Sequence, residues 1–250
     1  MYLIIFNLKI NQIIWFVLTN HLYKYLIQPN INNKKTFLLL DDGTEISYED
    51  FISLASKISH KLSNLGLKLG DRILVKSSKC KETLSLYLSS ILTGSVFFPL
   101  NPSYTLNETI YFIEDSKPSI LICESSEVKS IKPICDKIGC KILSLNANGE
   151  GEVTNGLEDL DSFFKPNNRA KDDLAALLYT SGTTGKPKGA MLTHQNLVSN
   201  ALQLINLWNI DKSDTLIHAL PIYHTHGLFV AINTSMMSGA SIRFIKNFNI

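Results

Sequence analysis

The sequence predicts an α/β fold in which parallel or mixed sheets are covered by helices, and three observations favour this class. Short apolar runs recur along the 250-residue chain. They alternate with stretches whose apolar residues recur at helical spacing. Hydrophobic residues make up 45% of the chain, which is enough for a buried core. An alternation of this kind is typical of parallel strands that are joined by helices.

A β-hairpin followed by a helix is the first predicted pair of elements. The run FLLL, which begins at Phe37, and the run EISY are separated by the turn-forming residues 41–43. Ser47, with Asp50 three residues later, is typical of a helix N-terminus. Apolar residues then recur at helical spacing up to Gly66, where we expect the helix to end.

Strands and helices alternate through the next part of the chain. The apolar runs RILV, VFFPL, SILIC and KILSL predict strands at 72–75, 96–100, 119–123 and 141–145. Helices are expected between them, near 80–92, 107–116 and 127–138.

The polar segment 146–173 interrupts this pattern and predicts a surface excursion or a subdomain boundary. A second α/β series follows it. Its predicted strands are LAALLYT at 174–180, AMLT at 190–193, TLIHAL at 215–220 and SIRFI at 241–245. Its predicted helices lie near 194–208, with Thr193 as the N-cap, and near 227–238, where Gly239 ends the helix.

Residues 1–19 form an apolar extension whose role is uncertain, so the predicted domain covers 20–250. Polar residues between Asn7 and Gln12 interrupt the run that a membrane span requires. A basic start and a small-residue cleavage site, both typical of signal peptides, are absent. We expect an amphipathic or poorly ordered extension, or a start assigned too far upstream; a peripheral membrane contact is the alternative.

The charge and cysteine content exclude several classes of function. The chain has 24 basic and 22 acidic residues, and its lysines are spread along it, which argues against a nucleic-acid partner. The four cysteines form no CxxC pair and have no metal-type spacing with histidine; they are Cys80, Cys123, Cys135 and Cys140. This usage predicts a reduced, cytoplasmic protein.

A loop rich in glycine, hydroxyl and lysine residues is the first candidate site. It contains Thr180, Ser181, Gly182, Thr183, Thr184, Gly185, Lys186, Pro187, Lys188 and Gly189. The glycines let the backbone approach a ligand closely, and the hydroxyls and lysines supply donors and positive charge for phosphate oxygens. The spacing fits neither the P-loop nor the G-x-G-x-x-G pattern. A solvated hairpin loop is the alternative interpretation.

Histidine and arginine residues after this loop provide weaker candidates. His224 and His226 are spaced as neighbours on one face of a strand, but no third ligand lies nearby in the sequence, so no metal site made of side chains is predicted. A partly buried or helix-starting role is the alternative for His226. Arg243 is a candidate partner of a substrate carboxylate.

The segment YTSGTTGKPKG at 179–189, followed by ALPIYHTHGL at 219–228, resembles the signature of the adenylate-forming superfamily of AMP-dependent synthetases and ligases. The resemblance covers 20–250 and is greatest to malonyl-CoA synthetases. It implies an incomplete large N-terminal domain of the adenylate-forming fold, in which residues 180–189 hold the phosphates of ATP. It also implies an acyl and pantetheine pocket formed by Tyr223, His224, Thr225, His226 and Gly227.

The resemblance further implies a two-step reaction that uses ATP, Mg²⁺ and coenzyme A. A small carboxylic acid, malonate or a related short dicarboxylate, would form an acyl-AMP and then a thioester. The superfamily's G-Y-G-x-T-E and T-G-D motifs and its C-terminal domain with the adenylation lysine are absent from the sequence. We therefore expect a fragment with little ligase activity, whose catalytic residues are unknown. An inactive nucleotide-binding remnant and an enzyme for another acid are the alternatives, and the oligomeric state is open.

Overall fold

A computed structural model of the protein describes residues 20–180 and 187–246. The strands in this part of the chain are β1 (Thr36–Leu40), β2 (Glu45–Ser47), β3 (Arg72–Lys76), β4 (Val96–Pro99), β5 (Ile120–Cys123), β6 (Lys141–Ser144), β7 (Leu174–Thr180), β8 (Lys188–Thr193), β9 (Thr215–His218) and β10 (Ser241–Phe244). The helices are α1 (His21–Leu26), α2 (Tyr48–Asn64), α3 (Lys81–Thr93), α4 (Leu106–Ser116), α5 (Ser125–Ile138), α6 (His194–Trp208) and α7 (Ala231–Ser238).

The described strands form two sheets, which confirms the predicted fold class. The large sheet has the order β6-β5-β3-β4-β7-β8, and the small sheet has the order β2-β1-β10-β9. Neighbours pair in parallel except at the β7–β8 and β1–β2 pairs, which are antiparallel. Both exceptions join strands across a short connection, which cannot make the crossover that a parallel pair needs.

The first predicted hairpin and helix are confirmed. The hydroxyl of Ser47 accepts a hydrogen bond from the backbone N–H of Asp50 at 3.0 Å, and α2 begins at the next residue. Gly66, with φ of +89°, follows the C-terminus of α2 in the left-handed conformation that glycine adopts at low cost. Local chemistry in the sequence therefore determined both ends of this helix.

The short helix α1 was not among the predicted elements. It has six residues, too few to show a clear helical period, and two of them, Leu22 and Leu26, are fully buried. Asn20 caps its N-terminus, and the Asn20 side-chain amide donates to the backbone oxygens of Ile91 and Asn167. Tertiary contacts, rather than periodicity, therefore hold α1 in place.

The polar segment 146–173 contains none of the described helices or strands, as its composition predicts. Its buried residues Val153 and Leu157 attach it to the main hydrophobic core. The segment connects β6 to β7, which are both strands of the large sheet. The subdomain boundary there stays a prediction.

All four cysteines are free and buried. No helix in the described part of the chain is long and apolar enough to cross a membrane. Residues 1–19, for which the sequence predicts an extension, lie outside the described residues.

Candidate functional site

The base of the candidate phosphate loop is an antiparallel pair of strands. Thr180, the last residue of β7, lies opposite Lys188, the first residue of β8. Both side chains are exposed at the end of this hairpin. Residues 181–186, which carry the remaining glycines, hydroxyls and Lys186 of the predicted site, lie outside the described residues. The described part of the site thus places one hydroxyl and one cation side by side.

Helix α4 contacts β7 and the residue just before β8 at the base of this hairpin. The Tyr111 hydroxyl donates to the backbone oxygen of Pro187 at 3.1 Å, and the Tyr179 hydroxyl donates to the Asp115 carboxylate. Tyr111 and Asp115 are four residues apart and therefore share one face of α4. Burial, and then the Asp115 carboxylate, raise the pKa of Tyr179 well above its usual range, so this hydroxyl stays protonated as a donor.

Gly189, the last residue of the predicted loop, lies across β7 from two side chains. A Cβ atom at this position would lie 3.0 Å from Cδ1 of Leu177 and 3.4 Å from the Tyr179 ring. The missing side chain therefore allows β8 to pack closely against these two residues of β7.

The second predicted segment, at 219–228, follows β9. Tyr223 is half-buried, the side chains of residues 224–226 are exposed, and Gly227 is buried. A Cβ atom at position 227 would lie 2.1 Å from the backbone oxygen of Pro221. The segment thus folds back on itself at a point where only glycine fits.

His226 has the helix-starting role that was its alternative interpretation. It begins a π-helical turn, His226–Val230, that leads into α7. It also lines an apolar cavity of about 460 Å³ together with Trp208, Leu216 and Val230. This cavity lies next to the predicted acyl and pantetheine pocket.

A crevice of about 440 Å³ lies where the carboxyl ends of strands from both sheets meet. Asn101 follows β4, Tyr223 follows β9, and Lys246 follows β10; all three line the crevice. In the large sheet the chain passes from β3 to β4 on one side and then returns to β5 on the other. Ligands of α/β proteins bind outside the carboxyl ends of strands at such a reversal of strand order.

Lys79 also lines this crevice, and neither it nor Lys246 was a candidate from the sequence. Each lies a few residues beyond the end of an apolar strand, and this position is the signal that could have identified them. Burial lowers the pKa of Lys79 to about 8, and nearby Asp41 partly offsets this effect. Burial, and then the Lys79 charge, lower the pKa of His218, which is neutral at pH 7.

Among the described residues, the other candidates from the sequence form no further site. Among residues 20–180 and 187–246, no three His, Cys, Asp or Glu side chains are grouped as a metal site. Arg243 is exposed on β10 and lines neither the crevice nor the apolar cavity.

Comparison with known proteins places these features in a family. The family described as "AMP-binding enzyme" matches residues 28–250. The curated "Malonate--CoA ligase" of Arabidopsis thaliana is 30% identical over 228 residues, which are 84% of this chain and 37% of the relative. The "4-coumarate--CoA ligase" of Vanilla planifolia is 28% identical and covers 85% of this chain and 41% of the relative.

A solved structure is also similar over most of the chain. The "ATP bound MatB from Rhodopseudomonas palustris" superposes with a TM-score of 0.89 at 41% identity. The match covers 92% of this chain and 46% of that one. The chain therefore spans less than half of the length of each of these three relatives.

Proposed function

The chain belongs to the family of AMP-binding enzymes, and on this premise we propose that it is the ATP- and acid-binding part of an acyl-CoA ligase for malonate or a related short dicarboxylate. The observation that carries the proposal is the similarity to the Arabidopsis malonate–CoA ligase over 84% of this chain. The 41% identity to MatB over 92% of the chain supports the same assignment.

The hairpin of β7 and β8 is proposed to bind the phosphates of ATP. Its loop end presents the Thr180 hydroxyl beside the Lys188 ammonium, a combination that fits phosphate oxygens. The similarity to an ATP-bound structure supports this role. Lys188 would neutralise charge on the departing pyrophosphate, and exposed phosphate oxygens would hold the Mg²⁺ ion that such ligases use.

The segment from Tyr223 to Gly227 is proposed to form one wall of the acyl and pantetheine pocket. Tyr223 lines the crevice, whereas His226 lines the apolar cavity, so this segment lies between the two spaces. The crevice also contains Lys246, whose charge would favour anionic substrates such as a dicarboxylate or coenzyme A.

A cytoplasmic location accompanies this proposal. Four free, buried cysteines without a disulfide support a reducing compartment. Cell fractionation of the complete protein tests this location, and recovery in any compartment other than the cytoplasm would contradict it.

The experiment that tests the function is acid-dependent exchange of pyrophosphate into ATP by the complete protein that carries this chain. We expect malonate to stimulate exchange more strongly than 4-coumarate. CoA-dependent thioester formation should show the same order of preference between the two acids. Stronger stimulation by 4-coumarate would support an aromatic acid instead, in line with the second curated relative. Binding of ATP without exchange on any acid would support the alternative of an inactive nucleotide-binding remnant.

A further inference from the structure

Lys79 joins the two sheets at the edge of the crevice. It lies in the connection between β3 and α3 of the large sheet. Its Nζ lies 2.9 Å from the backbone oxygen of His218, 2.9 Å from that of Leu220 and 2.7 Å from that of Ile245. These oxygens belong to the ends of β9 and β10 and to the segment after β9. One ammonium group thus binds three backbone oxygens in the part of the chain that forms β9 and β10 of the small sheet.

The positive charge of Lys79 is held without an ion pair in the described part of the chain, although Asp41 is near enough to favour the charged form. The Nζ atom instead lies 4.6 Å from the centre of the Phe244 ring, a cation–π distance, in addition to its three carbonyl contacts. Hydrogen bonds from a charged donor are stronger than those from a neutral one. Lys79 therefore acts as a link between backbone segments.

His218 extends this link to Gly227. Its side chain is 2% exposed, and its Nδ1 atom lies 2.8 Å from Nζ of Lys79. The Gly227 oxygen can only accept a hydrogen bond, so Nε2 of His218 carries the proton and Nδ1 is an acceptor, which shares the three N–H groups of the ammonium with the carbonyl oxygens. The Nε2–H group then donates to the backbone oxygen of Gly227 at 2.6 Å. Lys79, His218 and Gly227 form a continuous chain of hydrogen bonds.

The two ends of segment 219–228 are thus held by the same lysine. Leu220, near its start, is bound directly by Lys79, and Gly227, near its end, is bound through His218. The residues between these anchors include Tyr223, His224 and His226, which are more exposed. Because hydrogen bonds hold the segment near both of its ends, the backbone between them has less conformational freedom.

We propose that Lys79 is a positioning residue that fixes segment 219–228 at the crevice, so that Tyr223 and its neighbours present one substrate-binding surface. The assignment of a substrate to this surface depends on the proposed function, whereas the anchoring itself does not. A lysine that only stabilises the fold is the competing explanation, and the experiment must separate the two.

The anchoring is tested by amide hydrogen exchange in the complete protein with Lys79→Met, which keeps the aliphatic chain but removes the ammonium group. We expect exchange in 219–228 and 244–246 to increase about tenfold or more, and exchange in α3 and β5 to stay within about twofold of the wild type. Lys79→Arg, which keeps the charge, should restore part of the protection. Lys129→Met, at an exposed lysine of α5, is the matched control and should change neither region.

The positioning role is tested by steady-state kinetics of the same variants. We expect Lys79→Met to raise the KM for the acid or for coenzyme A about tenfold, with the KM for ATP within about twofold, and Lys79→Arg to recover part of the loss. A uniform fall in kcat with unchanged KM values would overturn the proposal. A loss of cooperative unfolding that is not accompanied by faster amide exchange in 219–228 would overturn it as well. If Lys79→Met does not fold, Lys79→Gln is measured instead, and unchanged exchange in 219–228 would be equally decisive.

The two proposals fail in different ways. If no acid supports the ligase reaction but local exchange follows Lys79, the proposed function is wrong and the anchoring stands. If the ligase reaction occurs and Lys79→Met changes neither local exchange nor any KM, the Lys79 proposal is wrong and the function stands.

Discussion

At the scale of single residues, the candidate site depends on side chains whose neighbours are far away in the sequence. Lys188 is significant because Thr180 lies opposite it across a strand pair, and Lys79 because three distant carbonyl groups surround its ammonium. Gly227 is significant because a backbone oxygen occupies the space of its missing side chain.

The first residue-scale prediction concerns Lys188. Replacement by Met removes a cation from the loop end of the hairpin, so ATP and pyrophosphate should bind about tenfold more weakly, the usual loss for one charge-assisted contact to phosphate. Isothermal titration with the complete protein measures this change. Lys171→Met, at another exposed lysine, is the control. Equal affinities for the Lys188 variant and the wild type would remove Lys188 from the phosphate site.

The second residue-scale prediction concerns Gly227. A Cβ atom in Gly227→Ala would lie 2.1 Å from the Pro221 oxygen, and relief of this overlap requires movement of the backbone. We expect a loss of about 1–3 kcal/mol in the free energy of unfolding, the usual cost of overpacking. Gly43→Ala is a reference for backbone strain without overlap, because its φ is +84° and no atom lies within 4 Å of the added Cβ. Urea unfolding in which Gly227→Ala is as stable as the wild type would contradict the close contact.

At the scale of elements, α4 holds the base of the phosphate hairpin through the hydroxyl groups of Tyr111 and Tyr179. The sequence predicted α4 and β7 correctly as separate elements. Their contact could not be predicted from periodicity, because it depends on how the connection after β4 places α4 beside β7 and β8.

An element-scale prediction follows for Tyr111→Phe, which removes one hydroxyl and keeps the ring. Loss of the hydrogen bond to the Pro187 oxygen should lower the free energy of unfolding by about 1 kcal/mol and raise amide exchange in residues 187–193. Tyr25→Phe is the control, because its ring packs against His21 and no hydrogen bond of its hydroxyl is found in the described part of the chain. Faster exchange in the control, or none in the Tyr111 variant, would count against the contact.

The attachment of α1 to α6 should depend on pH. The Leu22 N–H group donates to Nδ1 of His194 at 3.2 Å, and the His194 side chain is 1% exposed. Burial, and then the charge of Arg169, lower the pKa of His194 to about 4. Between pH 6.5 and 4 the unfolded chain binds the proton more readily than the folded one, so stability decreases as the pH falls through this window.

The expected loss is about 3 kcal/mol at the acid end of this window, which corresponds to the lowering of the pKa of His194. Urea unfolding at a series of pH values measures it. His194→Asn retains an acceptor near the Nδ1 position but does not titrate, so its stability should depend less on pH in this range. Identical pH profiles for the variant and the wild type would show that His194 is not responsible.

At the scale of the whole molecule, the small sheet ends at β9, which pairs only with β10 among the described strands. Large apolar side chains are exposed at or near this edge, with Ile217 69% and Trp208 54% exposed. Unpaired strand edges with apolar side chains promote association.

The corresponding prediction is that Ile217→Lys improves the solubility of the 250-residue chain, because it replaces a large exposed apolar side chain on an unpaired edge strand with a charged one. Light scattering of the purified chain over a concentration series measures the effect. Thr215→Lys, a charge on the same strand at an exposed position that is not apolar, controls for net charge. Equal scattering for both variants would show that the apolar side chain is not the cause.

Local sequence patterns determined most helices and strands of this protein. The Ser47 cap, the Thr193 cap and the glycines after α2 and α7 act over one helical turn, so they predict element ends without knowledge of the fold. The motif at 179–189 likewise identified the family, because its residues are consecutive.

Tertiary structure decided everything that depends on distant residues meeting. It placed β9 and β10 in a sheet with the first hairpin, created the crevice between the sheets, and brought Lys79 to the carbonyl groups of residues 218, 220 and 245. Such contacts join residues more than 100 positions apart, and local propensity carries no information about which distant strands will become neighbours.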